Sequence, residues 1–546
     1  MTTARAIRTT AALLPPGIVL ILAMSFGGCP SSNGNSNTNT NTNDNSADNA
    51  NDNTNGGNTN TNTNTNTNTN TNTNTNTNTN DNNAGTSKTI AEQCAACHSG
   101  LAERYSAGTH KSIADQCLVC HQNGREHMES PIDVPAALHF TLGLCADCHA
   151  SQHDSYLTSD ATKAGHFGGS DPTSKYEEFP HYQYLMGGHG FTKEYNEERS
   201  HAYMLKDHID TQRRQTTTCL QCKSTAVAYY WNQTQRGEPK FSKELVWADV
   251  VEELRTEQPD AIDYGAGCTH CHDPHTGDFR LIRRGLIEAI VERGTDPYSN
   301  IHNVIPENEE ALQALMNERD DDGKRTDAAL RLAGTLTCAQ CHIEYVCGQG
   351  ADRNTTGEIR DHVPWRQLDD IEAHYSDLFG NMQDWTHSIT GKTGVKAQHP
   401  EAESYWGGAH HRLGLSCADC HMPQGSDGYS SHRLTSPLKS GMDACAQCHE
   451  NAEAELFEAQ DEIYATARRI EDLLNEVLQK IEAANTSGAV PADDLDEAKT
   501  LFMRALTWWE WTVVSENSMG AHNSDKTRAQ LQTAEDFANQ ADALLP

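Results

Sequence analysis

The last hundred residues carry the clearest periodicity in the chain. Ile463, Ala467, Ile470, Leu474, Val477 and Ile481 recur every three or four positions, which predicts a long amphipathic helix with one buried stripe. The stretch NTSGAVP at 485–491 breaks it, because Gly and Pro punctuate a helix. A second helix is expected from about Asp493, with Leu501, Ala505 and Trp508 on its inner face, and a third after Asn523. Strand-like alternation is sparse throughout. The expected fold class is therefore mainly α, with a C-terminal long-helix bundle over 451–546.

The N-terminal end reads differently. Arg5 and Arg8 precede the apolar run AALLPPGIVLILAMSFGG, which two prolines interrupt and which is short for a membrane span. It reads as an export signal over 1–29. FGGC, ending at Cys29, resembles a bacterial lipoprotein cleavage box, with Phe26 where Leu is usual. A lipid on Cys29 would anchor the mature chain; the alternative is a secreted protein that loses Cys29. Asn-Thr repeats follow to about Asn83. They contain almost nothing apolar to offset their ordering entropy, so 30–90 is expected to be a disordered tether.

Composition adds two limits. Hydrophobic residues make up 36% of the 546, low for a globular chain, so part of the core must come from elsewhere. A formal net charge of −35 argues against nucleic acid as a partner.

The cysteines carry the chemistry. Sixteen of the 18 fall in eight CxxC pairs, and seven of these continue as CxxCH. They are Cys94, Cys97, His98; Cys117, Cys120, His121; Cys145, Cys148, His149; Cys268, Cys271, His272; Cys338, Cys341, His342; Cys417, Cys420, His421; and Cys445, Cys448, His449. CxxCH reads as c-type haem attachment, two cysteines holding the macrocycle and the histidine its iron. A zinc-ribbon array would give no reason for histidine after every second cysteine. Haem is a large apolar body, so a haem-packed core accounts for the low hydrophobic fraction. Covalent haem and an export signal both indicate a compartment outside the cytoplasm. There are 27 histidines, a surplus that makes second axial ligation the expected duty of several.

The fourth motif in the series is CLQCK: Cys219, Cys222, Lys223. A lysine amine ligates iron only after losing its proton, from a free pKa of about 10.4, and burial and metal binding both favour that loss. An electron-transfer haem fills both axial positions, whereas a catalytic one leaves one open. The alternatives are a degenerate motif or a lysine opposed by a distal histidine.

The CxxCK motif and its surroundings resemble the ammonia-forming multihaem cytochrome c nitrite reductases. GHGFTKEYNEERSHAYMLKDH (188–208) is similar to the segment that supplies a catalytic arginine and a haem-ligand histidine, which the resemblance places at Arg199 and His201. CAQCHIEYVC (338–347) implies Tyr345 at the active site and Glu344 at a calcium site. VKAQHPEAESYWGGAH (395–410) implies His399 at the active site, Lys396 and Gln398 at the calcium site beside Glu344 and Tyr345, and His410 as a distal ligand. His432 and His522 are implied as further distal ligands. The resemblance covers about 186–546. Three extra N-terminal motifs match its octahaem branch, dividing the chain into a three-haem domain at 91–185 and a catalytic five-haem domain at 186–450. For the N-terminal haems the expected distal ligands are His110, His127 and His189, with His166 in reserve. In that branch a tyrosine–cysteine thioether lies at the active site, which Cys347, two residues after Tyr345, would supply; the alternative is an inert thiol.

The resemblance implies six-electron reduction of nitrite to ammonia, with eight c-type haems and calcium as cofactors. Arg199 would bind nitrite oxygens and His399 would deliver protons. The partners implied are nitrite, an electron-donor protein or quinol dehydrogenase, and further copies of the chain. The rival readings are an octahaem electron conduit, which leaves CxxCK unexplained, and a reductase of hydroxylamine or sulfite. A hydroxylamine-oxidising octahaem enzyme keeps CxxCH at its catalytic haem, so Lys223 argues against it.

Overall fold

A computed structural model of the protein describes residues 88–113, 117–138, 140–158, 175–192, 200–211, 219–232, 247–257, 265–299, 302–345, 363–366, 372, 385–425 and 428–546. The export signal, Cys29, the Asn-Thr tract, His166, Arg199 and Cys347 lie outside the described residues. Gly85–Pro546 form one compact unit.

Among the described residues the chain is overwhelmingly helical. Most haem-type motifs sit on single helical turns, among them α1 (Leu220–Lys223). Longer helices follow: α2 (Arg284–Arg293), α3 (Glu309–Met316) and α4 (Asp327–Ala339). Asn308 and Thr326 cap α3 and α4 by accepting from the amides of Ala311 and Ala329, which would otherwise be orphaned at a helix start. The one sheet among the described residues is a hairpin of β1 (Trp385–Thr386) and β2 (Thr393–Gly394). The hairpin packs closely on the Met503 side chain, 2.6 Å from where a Cβ on Gly394 would stand.

The bundle comprises α5 (Ala452–Ser487), α6 (Ala492–Trp509) and α7 (Ser524–Asp542). All six residues of the predicted stripe are buried on α5. Each large aliphatic side chain among them contributes about 1.5–3 kcal/mol relative to exposure. α5 ends at Gly488, whose φ of 63° is left-handed and suits glycine at a helix C-terminus. Between α6 and α7, Glu510–Ser515 forms a π-helical segment. No helix among the described residues is long and apolar enough to cross a membrane.

The apolar core is divided. One cluster joins the bundle to Phe179, Tyr182, Val395 and Ala397. A second gathers α2, α3 and α4 around Trp365 and Trp406, whose rings meet edge-to-face at 4.3 Å. A cavity of about 3540 Å³ is lined by residues of every one of the eight CxxC motifs.

Candidate active site

Each motif is shaped by its spacing. In CxxCH the histidine amide bonds to the carbonyl of the first cysteine, as His98 does to Cys94 at 2.9 Å and His342 to Cys338 at 3.0 Å. One helical turn thus aims both sulfurs and the imidazole toward the same side. The sixteen motif cysteines form no disulfides. They do not assemble a zinc array either, since no group of three or more His, Cys, Asp or Glu among the described residues could hold a metal.

The histidines meet in pairs across the cavity. Ring centroids are 5.9 Å apart for His98 and His127, 6.2 Å for His110 and His149, and 6.4 Å for His121 and His275. They are 5.8 Å apart for His201 and His342, 6.1 Å for His410 and His449, and 6.2 Å for His421 and His522. A metal–nitrogen bond of about 2 Å on each side, plus half of each ring, gives a centroid separation of about 6 Å. These pairs therefore fit a metal between two imidazoles. The remaining proximal histidine, His272, is near enough to His432 to feel it: burial first, then His432, lowers its pKa to about 4.

Several of these rings have a settled tautomer. Nδ1–H donates to a backbone carbonyl in His110 (Pro274, 2.9 Å), His121 (Ala137, 2.9 Å), His127 (Val134, 2.7 Å), His421 (Thr435, 2.9 Å) and His432 (Ser430, 2.9 Å). That leaves Nε2 as the acceptor facing the cavity, the usual second layer behind a metal-binding histidine.

His189, expected as a distal ligand, has its ring edge-on to Trp385 at 5.4 Å. The position opposite His121 belongs to His275, from the segment following the fifth motif. The two segments dock tightly there: Thr109 donates to the Thr276 carbonyl at 3.1 Å, Arg104 pairs with Asp273, and Gly108 leaves no room for a Cβ against His275. His275 stands three residues after His272 in CHDPH, a second histidine at helical spacing that could have marked it.

Motifs distant in sequence are brought together: the Cys341 thiol of the sixth motif faces the Cys222 carbonyl of the CxxCK motif, and the Cys222 thiol faces the Gln340 carbonyl of the sixth.

Beside the CxxCK motif, Lys223 lies near enough to His399 and His342 for its charge to bear on both. Tyr345 is buried, and the Arg283 guanidinium lies over its ring at 4.3 Å. Glu401 approaches His399 Nδ1 at 3.8 Å and His342 Nδ1 at 3.6 Å. Burial lowers the His399 pKa from its ordinary value, with Glu401 opposing.

The expected calcium residues adjoin this site. Glu344 is wholly buried and accepts from the Gln398 amide at 2.8 Å. Its own amide bonds to Glu403, also wholly buried, at 3.2 Å. Burial, then the Glu344 charge, pushes the Glu403 carboxyl well above its ordinary pKa. Two such carboxylates together fit a hard divalent cation, which also takes carbonyl and amide oxygens. Lys396 can contribute only its carbonyl, which accepts from Gln398 Nε2 at 2.8 Å, because its ammonium is paired with Glu510 at 2.5 Å. Sequence reasoning missed Glu403, Glu401, Arg283 and Glu510; each becomes visible only by contact.

Comparisons with known proteins bear on the family and the fold. The cytochrome c552 family profile matches residues 141–546. A cytochrome c nitrite reductase subunit NrfA from Nitratidesulfovibrio vulgaris strain Hildenborough is 31% identical over 398 residues, 66% of this chain and 68% of that protein. A cytochrome c-552 from Desulfotalea psychrophila is 27% identical over 395 residues, 68% of this chain and 69% of that one. The solved cytochrome c nitrite reductase from Desulfovibrio desulfuricans, whose catalytic subunit has two calcium sites, superposes with a TM-score of 0.60 at 24% identity, covering 74% of this chain and 86% of that one. With its haem-type motifs, paired histidines and mainly helical frame, the chain belongs to the cytochrome c552 family of multihaem c-type cytochromes.

Proposed function

We propose that the protein catalyses the six-electron reduction of nitrite to ammonia at a haem held by Cys219 and Cys222 with Lys223 as its axial ligand. The observation that supports this reading is the placement of the Lys223 motif, the one without a motif histidine, beside Tyr345: the Arg283 guanidinium lies 3.4 Å from the Cys222 sulfur and 4.3 Å from the centre of the Tyr345 ring. When bound, this haem supplies the iron at which nitrite is reduced. Seven further haems, which the CxxCH motifs and the histidines opposite them would hold, would supply the electrons.

The chain's own groups then have distinct tasks. His399, made less basic by burial, is a proton carrier whose orientation Glu401 governs. Tyr345 brings a phenol to the same cavity. Arg199, assigned by resemblance, would hold the anionic oxygens by charge-assisted hydrogen bonds. Calcium at Glu344, Gln398 and the carbonyls of Tyr345 and Lys396 would tie together the two loops carrying Tyr345 and His399. The export signal, the tether and a lipid on Cys29 would hold the enzyme on the periplasmic or cell-surface side of a bacterial membrane, supplied by a donor protein or quinol dehydrogenase and assembled as a homo-oligomer.

Lys223→His tests the reading. The variant should retain its haems but lose most nitrite turnover, because the axial donor and the iron's electronics change. Full turnover in a fully loaded variant would leave lysine without a catalytic role. Relative rates of the parent protein with nitrite, hydroxylamine and sulfite decide among substrates.

A further inference from the structure

Arg283 is a buried cation beside the candidate site, 1% exposed, on the segment that enters α2. Its guanidinium carbon lies 4.3 Å from the centroid of the Tyr345 ring. Nη1 donates to the Gln340 carbonyl at 2.7 Å and stands 3.4 Å from the sulfur of Cys222. Gln340 completes the clamp from the other side: its side-chain oxygen accepts from the amides of Ile282 at 2.7 Å and Arg283 at 3.3 Å. A single side chain thus touches the lysine motif, the middle of the sixth motif and the active-site tyrosine.

Burying an ionised guanidinium carries a desolvation penalty that an apolar side chain of similar size would avoid. Filling space therefore does not explain an arginine here. Two properties are particular to it. A planar guanidinium stacks on an aromatic face and holds the ring plane, which a lysine ammonium does less well. A fixed positive charge at the Cys222 sulfur also favours the more electron-rich state of a redox group attached through that sulfur.

We propose that Arg283 is a positioning residue of this site: it seats the Tyr345 ring and, through its charge at Cys222, raises the reduction potential of the haem carried by the Cys219–Lys223 motif. This deepens the nitrite reductase reading and rests on it.

The test compares full-length, haem-loaded Arg283→Met and Arg283→Lys with the parent by spectropotentiometry, following the lysine-ligated haem by its electron paramagnetic resonance signal, and by nitrite kinetics. In Arg283→Met the midpoint of that haem should fall while the bis-histidine haems keep theirs, and kcat should drop at least several-fold. Arg283→Lys should hold the midpoint near the parent value, since charge is kept, yet still lower kcat, since the planar stack is lost. A parent-like midpoint and kcat in loaded Arg283→Met would overturn the proposal. If that variant does not load haem, Arg283→Lys decides alone: a retained midpoint with reduced kcat supports the proposal, and parent kcat refutes it. A parent protein inactive on nitrite would sink the functional reading, while the midpoint comparison would still test the charge of Arg283.

Discussion

The ion pair between Lys396 and Glu510 joins the C-terminal bundle to the candidate site, and Glu510→Gln measures that link. Both side chains are 1% exposed, and their charged atoms are 2.5 Å apart. Glu510 also accepts from Ser515 Oγ at 2.6 Å, from the Ala397 amide at 3.2 Å and from the Tyr182 hydroxyl at 3.3 Å. The residues it holds, Lys396 and Ala397, lead directly into Gln398 and His399. Replacing the carboxylate by an amide of the same shape leaves the Lys396 ammonium buried without its counter-charge. Breaking a buried pair from one side costs about 3–5 kcal/mol, because the remaining charge is not resolvated. Adding Lys396→Met removes that stranded charge, so the double variant should recover to parent stability or above, as apolar replacements of buried pairs often do. Guanidinium unfolding of the haem-loaded proteins, followed by far-ultraviolet circular dichroism, reads both numbers. Nitrite turnover should fall in Glu510→Gln, as the loop bearing His399 loosens, and rise again in the double variant. A single variant within about 0.5 kcal/mol of the parent, the range of ordinary surface changes, would show that the pair does not anchor the loop. A double variant less stable than the single one would refute the stranded-charge argument.

Other expectations concern the ligands and the site itself. His275→Ala should convert one low-spin haem to high spin in the electron paramagnetic resonance spectrum; an unchanged spectrum in the haem-loaded variant would remove His275 as a ligand opposite His121. Exhaustive calcium removal should abolish nitrite turnover with all haems retained, and Glu344→Gln should do the same by removing a buried carboxylate from the site; unaffected turnover in either case would undo the calcium assignment. A thioether between Tyr345 and Cys347 should make the peptide containing them lighter by two hydrogens and leave Cys347 unable to alkylate; a freely alkylating thiol in active protein would exclude it.

Local patterns declared much of this protein. The stripe from Ile463 to Ile481 reports a helix because its period matches the helical repeat, and that helix needs only one apolar neighbour to be realised. The boundary at Gly488 was legible because left-handed φ suits glycine. The CxxCH and CxxCK motifs were legible because haem attachment is a local chemistry, satisfied within one helical turn. Of the histidines paired with motif histidines, His201, His410 and His522 were pointed to by resembling segments, while His110 and His127 were choices from the histidine surplus near the N-terminal motifs. A second axial ligand lies anywhere in the chain that folding brings within reach of the first, so spacing is silent about it. His275 shows this: it follows the fifth motif in sequence yet faces the histidine of the second. The cavity's inner supports have the same character. Arg283 over Tyr345, Glu403 beside Glu344 and Glu510 against Lys396 are buried charges, and a buried charge persists only where the folded chain surrounds it with partners. Those partners come from segments more than fifty residues away, so tertiary structure alone brought them together.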